Sequence, residues 1–256
     1  MGFTAAFLLL PLLAELNMQL PENVMAHVEQ VLRWVHFTAG IVWLGLLYFF
    51  NLVNVPLMKE LDPATKGKVV AKMMPRALWY FRWGGVATVG AGLLYFIIYM
   101  MRDAANAGDA GLAWKWLGMW FAVWAVVWGI LYAFVRPAPA NAMVYAGVAI
   151  VVVIAASWLV LTLLSHPYAS NRTLSISVGG GMGLVMLLNV WGVIWRCQKR
   201  LVAWTQANVE QGTPMPPAAV TLARQAFLAS RTNAWMSLPM LFFMAASSHY
   251  PFLSGR

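Results

Sequence analysis

The sequence predicts an all-α protein, a polytopic bundle of transmembrane helices with six spans or, counting the N-terminus, seven. Of its 256 residues, 62% are hydrophobic and only 10% are charged, whereas soluble domains carry roughly 25% charged residues. Six stretches are long and apolar enough to cross a hydrocarbon layer of about 30 Å, which takes about 20 residues. The apolar runs are continuous, so the alternating pattern of a transmembrane β-barrel is excluded.

Short connections separate the predicted spans, which leaves no room for a second, soluble domain. We therefore expect residues 29–256 to form a single integral membrane domain. Its spans are predicted at residues 31–56, 77–101, 114–135, 142–164, 174–196 and 232–248.

The N-terminal segment, residues 1–28, has an ambiguous pattern. Its first part is apolar, but Pro11 interrupts the run and polar residues follow soon after. A signal peptide would begin with positive charge, which the first residues lack. We expect an interfacial or half-inserted helix here, with a seventh span as the alternative.

Basic residues predict the orientation, because Lys and Arg accumulate on the cytoplasmic side of membrane proteins. They are concentrated after the first, third and fifth predicted spans. We therefore expect a multi-pass protein of the bacterial inner membrane, with both ends of the six-span core facing outward. This asymmetry accounts for the net charge of +9, and no nucleic-acid partner is needed.

The four histidines all fall near the predicted outer ends of spans. His36 opens the first span, His166 and His249 close the fourth and sixth, and His27 precedes the first. Haem b takes axial ligands from side chains on facing helices. One imidazole per helix at similar depth meets that condition, so we expect one or two haem b groups with His36, His249, His166 and His27 as the candidate ligands. His166 and His27 are candidates for a second haem or a quinone pocket.

The first span carries the densest pattern of candidate residues. Offsets of three and seven place Arg33, His36, Gly40 and Trp43 on one helical face. Gly40 would make room for a macrocycle, and Arg33 at the membrane edge could pair with a haem propionate. Ionisable residues in membranes are functional candidates because burying them is costly. The alternative is an interfacial His36 that bonds a carbonyl of a neighbouring helix.

Other metal chemistry has less support. A zinc or copper site lacks carboxylate or thiolate support at this depth. Cys197 is the only cysteine, so neither an internal disulfide nor a Cys-x-x-Cys-His haem attachment is available. No catalytic residue is assigned from the sequence.

Residues 33–45, RWVHFTAGIVWLG, resemble the opening helix of the bacterial membrane-bound urate oxidase family, whose N-terminal part is an integral membrane domain. The likeness covers most of residues 31–252, and a fainter one links the same helix to haem-binding membrane protoporphyrinogen oxidases. Further similar segments follow in family order: LWYFRW at 78–83, NVW through QKR at 189–200, SRTN with Leu-Pro at 230–239, and SHYP at 248–251.

The resemblance implies a membrane oxidoreductase that passes electrons to a cytochrome c, and it carries His36 and His249 over as haem ligands. Three departures weigh more against urate oxidation than against redox work. The chain shows no fused cytochrome c domain, and residues 46–75 lack the His-Gly-Gly-Gly loop often seen after the first helix. Ser248 also stands where the family has Asn.

Three functions remain open. One is a haem b electron-transfer subunit between the quinone pool, or a partner dehydrogenase, and an outer-face cytochrome c. Another is a non-catalytic anchor or scaffold of a larger membrane complex. A urate oxidase-like enzyme would need an outer-face pocket of polar donors, for which the sequence offers Asn171, Arg172, Ser175 and Ser177.

Overall fold

The computed structural model describes residues 20–255, and within this range the chain is helical, without a strand. The all-α prediction is confirmed. Of the segment 1–28 predicted as interfacial or half-inserted, residues 1–19 lie outside the described residues, and the part from Val24 onward belongs to the first helix. Six helices are present here: α1 (Val24–Glu60), α2 (Pro63–Asn106), α3 (Leu112–Val135), α4 (Ala142–Leu164), α5 (Asn171–Gln211) and α6 (Ala218–His249).

Five of these helices, α1 to α5, are long and apolar enough to cross a membrane. The chain is therefore a multi-pass membrane protein. The sixth helix, predicted as a span at residues 232–248, is not among the five by composition. It nevertheless packs along α5 within the same bundle.

Helix starts follow from short polar side chains. The side chains of Asn23, Asp62, Asn141 and Ser170 accept hydrogen bonds from backbone N–H groups in the first turns of α1, α2, α4 and α5. Each cap satisfies a donor that the helix itself leaves free. At the other end of α5, Gly212 takes the left-handed conformation with φ of 69°, which glycine adopts without strain.

Helix α2 is longer than predicted. The basic region before residue 77 was expected to be a connection, yet it forms the start of a 44-residue helix with Pro75 inside it. At about 1.5 Å per residue this helix measures about 66 Å, roughly twice the hydrocarbon thickness. The extension is helical because its other face packs on the end of α5, where Gln206 donates to the Ala71 carbonyl.

Helices α1 and α2 run antiparallel in a regular register that positions the candidate site. Residues successively nearer the start of α1 pair with residues successively nearer the end of α2. The paired residues are Trp43 with Gly85, Gly40 with Thr88, His36 with Gly92, and Glu29 with Tyr99.

Buried amides join α6 to two π-helical segments. In α1 the segment Phe49–Asn54 places Asn51 within 2.9 Å of the Ser230 hydroxyl. In α5 the segment Val190–Ile194 follows Asn189, whose side chain donates to Asn233 at 2.8 Å. Hydrogen bonds between helices are favourable in lipid because the alternative partners are few. They fix α6 against the bundle.

Candidate functional site

His36 lies half-buried between α1 and α2. Its Nδ1 is 2.8 Å from the Thr88 carbonyl oxygen. A carbonyl can only accept, so Nδ1 carries the proton and Nε2 keeps its lone pair. Nε2 has no hydrogen-bond partner within the described residues. This is the arrangement in which a backbone carbonyl orients a metal-binding histidine.

Gly40 faces Thr88 of α2, and its role in making room for a macrocycle stays a prediction. A Cβ built on Gly40 would lie 3.6 Å from Thr88 Cγ2, an ordinary van der Waals contact. Its small size serves helix packing. Arg33 is exposed and donates to Gln30 of its own helix at 2.9 Å, which leaves its role toward a propionate a prediction.

The other histidines differ in which ring nitrogen is free. His27 donates through Nε2 to the Pro21 carbonyl at 2.8 Å. His166 accepts the Tyr168 N–H at Nδ1, 3.3 Å away, so its neutral ring carries the proton on Nε2. His249 is exposed at the end of α6. Thus His36 and His249 are the two histidines of the described chain whose Nε2 is free to bind a metal.

Burial favours the neutral form of His166. Its ring stacks on Trp116 with centroids 4.1 Å apart and an angle of 17° between planes. Desolvation by this packing lowers the pKa of His166, and the nearby carboxylate of Asp103 opposes the shift. The side chain is therefore a packed interfacial histidine in this structure.

The histidines do not lie at one depth. His36 is seven residues, or about 10 Å, deeper along α1 than Glu29. Glu29 is level with Tyr99, whereas His249 lies beyond the turn of α6 that binds Asn171. The sharing of one iron by His36 and His249 is not supported by this geometry, although ligation by either stays a prediction. No group of three or more potential metal ligands occurs in residues 20–255.

A polar network lies directly above His36, toward the predicted outer end. The Tyr99 hydroxyl donates to Glu29 at 2.8 Å, and Arg102 forms an ion pair with the same carboxylate. Arg172 in turn donates to the Tyr99 hydroxyl. The network ties α1, α2 and α5 together, and of its side chains only Arg172 was a candidate from the sequence. The spacing of Tyr99 and Arg102, one turn apart at a span end, was the available signal.

Next to this network lies a cleft of about 360 Å³, here called the arginine cleft. Its wall residues come from the end of α2, the start of α5 and the end of α6. They are Tyr99, Arg102, Asp103, Asn106, Ser170, Asn171, Arg172, Ser247, Ser248 and Pro251. A pocket of this polar character is what a urate oxidase-like enzyme would need, and that activity stays a proposal.

Arg172 is the distinctive group of the cleft. Its Nε is buried without a hydrogen-bond partner, whereas Arg102 is already neutralised by Glu29. Arg172 also sits in the first turn of α5, where the helix dipole favours negative charge. A buried guanidinium donor left unpaired is costly, so a bound acceptor would stabilise this arrangement.

Of the four polar residues predicted near this mouth, two line the cleft and two do not. Asn171 and Arg172 line it. Ser175 and Ser177 are fully buried in the bundle instead. The Ser177 carbonyl accepts the indole N–H groups of Trp120 and Trp124, so this stretch holds α3 against α5.

Comparison with known families gives one result. Residues 62–256 match a family described as urate oxidase N-terminal. The chain belongs to the urate oxidase N-terminal family. Comparisons with curated proteins and with solved structures gave no match. The family match includes α2 to α6 and every wall residue of the arginine cleft, whereas α1 and His36 precede it.

Proposed function

We propose that this member of the urate oxidase N-terminal family is a membrane-embedded electron-transfer subunit that binds haem b through His36. It would pass electrons between quinone, or a partner dehydrogenase, and a cytochrome c on the outer face. The observation that carries the proposal is the hydrogen bond from His36 Nδ1 to the Thr88 carbonyl. It leaves Nε2 aimed away from this bond with its lone pair available.

The residues around His36 meet some of the requirements of a haem-binding site. The imidazole of His36 has the required tautomer and a rigid support, and haem, when bound, supplies one-electron redox chemistry. Thr88 holds the ring orientation through its backbone, a contact that side-chain substitution would not remove. Arg33 is the candidate partner of a propionate, because it is exposed one turn above His36. His249, His166 and His27 stay candidates for a second ligand or a second haem.

The test is the reduced-minus-oxidised absorption spectrum of the purified protein. His36→Ala should remove the haem b bands while the protein stays in the membrane. Thr38→Ala is the matched control, because Thr38 is an exposed residue two positions further along the same helix, and its bands should persist. Unchanged bands in His36→Ala would refute the proposed ligand. A wild-type protein without haem bands would favour the non-catalytic scaffold.

A second candidate function, a urate oxidase-like enzyme, is favoured by the arginine cleft. Urate is a planar anion that could accept from Arg172, with its electrons going to a cytochrome c. Arg172→Gln should weaken urate binding about 10- to 100-fold, the usual effect of losing a charged hydrogen bond. Arg33→Gln removes an exposed arginine outside the cleft and should leave binding unchanged. Absence of urate binding by the wild type would reject this candidate while leaving the haem proposal open.

A further inference from the structure

A second surface with ligand-binding character lies at the other, predicted cytoplasmic, end of the bundle. Lys68, Lys72 and Arg76 follow one another at four-residue intervals along α2, so they share one face of the helix. All three are exposed. Together with Val69, Met73 and Ala77 they line a shallow groove of about 580 Å³, here called the basic groove.

The three cations of the basic groove have no carboxylate partner. The ion pair of Arg102 with Glu29 is the only one found in residues 20–255. Arg76 donates to the Lys72 carbonyl of its own helix at 3.2 Å. Like charges one turn apart repel each other and destabilise a helix. A bound anion would relieve this repulsion along three successive turns.

The other half of the basic groove is apolar. Val69, Met73 and Ala77 are each one residue further along the chain than a cation, so an apolar stripe runs beside the basic one. These three side chains are only partly buried, and Met73 and Ala77 also pack against the core with one side. A free inorganic anion would leave this stripe exposed to water, whereas a ligand with a hydrocarbon part would cover it.

Aromatic residues mark where the groove meets the bilayer. Trp79 and Tyr80 are both exposed, about one turn beyond Arg76, and their ring centroids are 5.1 Å apart in an edge-to-face contact. Exposed Trp and Tyr side chains collect at the level of lipid headgroups. Arg76 therefore lies at the headgroup level, and Lys72 and Lys68 follow at about 6 and 12 Å further along the helix, away from the hydrocarbon core.

We propose that the basic groove is a binding site for an anionic phospholipid. The phosphate is held by Arg76 and by the lysines that follow it away from the bilayer, and the upper part of an acyl chain covers Ala77, the end of the stripe nearest the hydrocarbon layer. Basic pockets on this side of membrane proteins recognise anionic headgroups by the same chemistry. The site is independent of haem and of urate.

Native mass spectrometry of the full chain in detergent tests the proposal, with phosphatidylglycerol and phosphatidylcholine as probes. The wild type should retain phosphatidylglycerol in preference to phosphatidylcholine. Each lost cation should weaken retention about fivefold, so the variant Lys68→Gln, Lys72→Gln, Arg76→Gln should lose about 100-fold. The matched control removes three exposed cations at the same end, as Lys59→Gln, Lys199→Gln, Arg200→Gln, and should bind as the wild type does.

Two further arms separate the remaining outcomes. Lys68→Arg, Lys72→Arg keeps the charge and should retain the lipid, which guards against loss of binding through misfolding. Inorganic phosphate is added as a competitor and should not displace phosphatidylglycerol. If the control triple variant lost phosphatidylglycerol as strongly as the basic-groove triple variant, net charge alone would explain the effect, and the proposal would be overturned. Full displacement by phosphate, or unchanged binding after loss of the three cations, would also overturn it.

Discussion

The imidazole of His36 occupies the space that a side chain on Gly92 would need. A Cβ built on Gly92 would lie 2.8 Å from Nδ1 and 2.9 Å from Cε1 of the ring. The ring is also held at Nδ1 by the Thr88 carbonyl one turn earlier on the same helix. Helix α2 therefore sets both the position and the tautomer of His36.

Gly92→Ala should displace the His36 ring and weaken haem binding about 10- to 100-fold, the usual effect of disturbing the support of a metal ligand. Haem titration followed by absorption measures this. Gly90→Ala is the control on the same helix, since a Cβ there meets no atom within 4 Å. Equal affinity in Gly92→Ala and the wild type would show that the ring orientation is irrelevant to haem.

Asn233→Ala should destabilise the bundle by about 1–2 kcal/mol. Asn233 and Asn189 are 0% and 1% exposed, and the change leaves the Asn189 amide buried without its acceptor. It also removes the donor to the Met186 carbonyl. Unfolding in mixed detergent measures the loss. Thr162→Ala is the control, because this hydroxyl is exposed and bonds only within its own helix.

Gly181→Ala should cost roughly 1–3 kcal/mol by overpacking. A Cβ at this position would collide with the indole of Trp124, which is fully buried between α3 and α5. Gly183→Ala lies two residues away, and nothing there is within 4 Å. It should be neutral or slightly stabilising, because alanine favours the helix. Thermal unfolding of both variants, followed by near-UV circular dichroism, distinguishes these outcomes.

Stability should fall as the pH falls through the titration range of His166. Its folded-state pKa lies below its ordinary value of 6.5, so the unfolded chain binds more protons between the two values. The stabilisation is complete above pH 6.5 and is lost on acidification. His166→Phe keeps a ring against Trp116 and should show a shallower decline of melting temperature from about pH 7.5 to about pH 5.5. An identical decline in both proteins would assign the pH effect to other groups.

The sequence predicted two spans closely and missed the extensions of α2, α5 and α6. Helices Leu112–Val135 and Ala142–Leu164 match their predicted spans within two residues. Both are apolar on all sides and end in short connections. The start of α2 was missed because its lysines and Pro75 have the composition of a loop. Its helical state depends on the packing against α5, which no local pattern shows.

Of the candidate site, the sequence predicted only the residues that lie together on one helix, α1. The pattern around His36 indicated a functional position from α1 alone. Its partners Thr88 and Gly92 lie more than fifty residues away, and the wall residues of the arginine cleft come from three helices. Such contacts depend on register between helices, which the α1 sequence does not specify.

The arginine cleft also constrains how the protein can be made. Its walls come from the second, fifth and sixth helices, and Ser247 and Ser248 belong to the last turn of α6. During synthesis the ribosome must therefore complete α6 before the cleft exists. A product truncated after α5 would still insert into the membrane and carry His36, but it could not form this pocket.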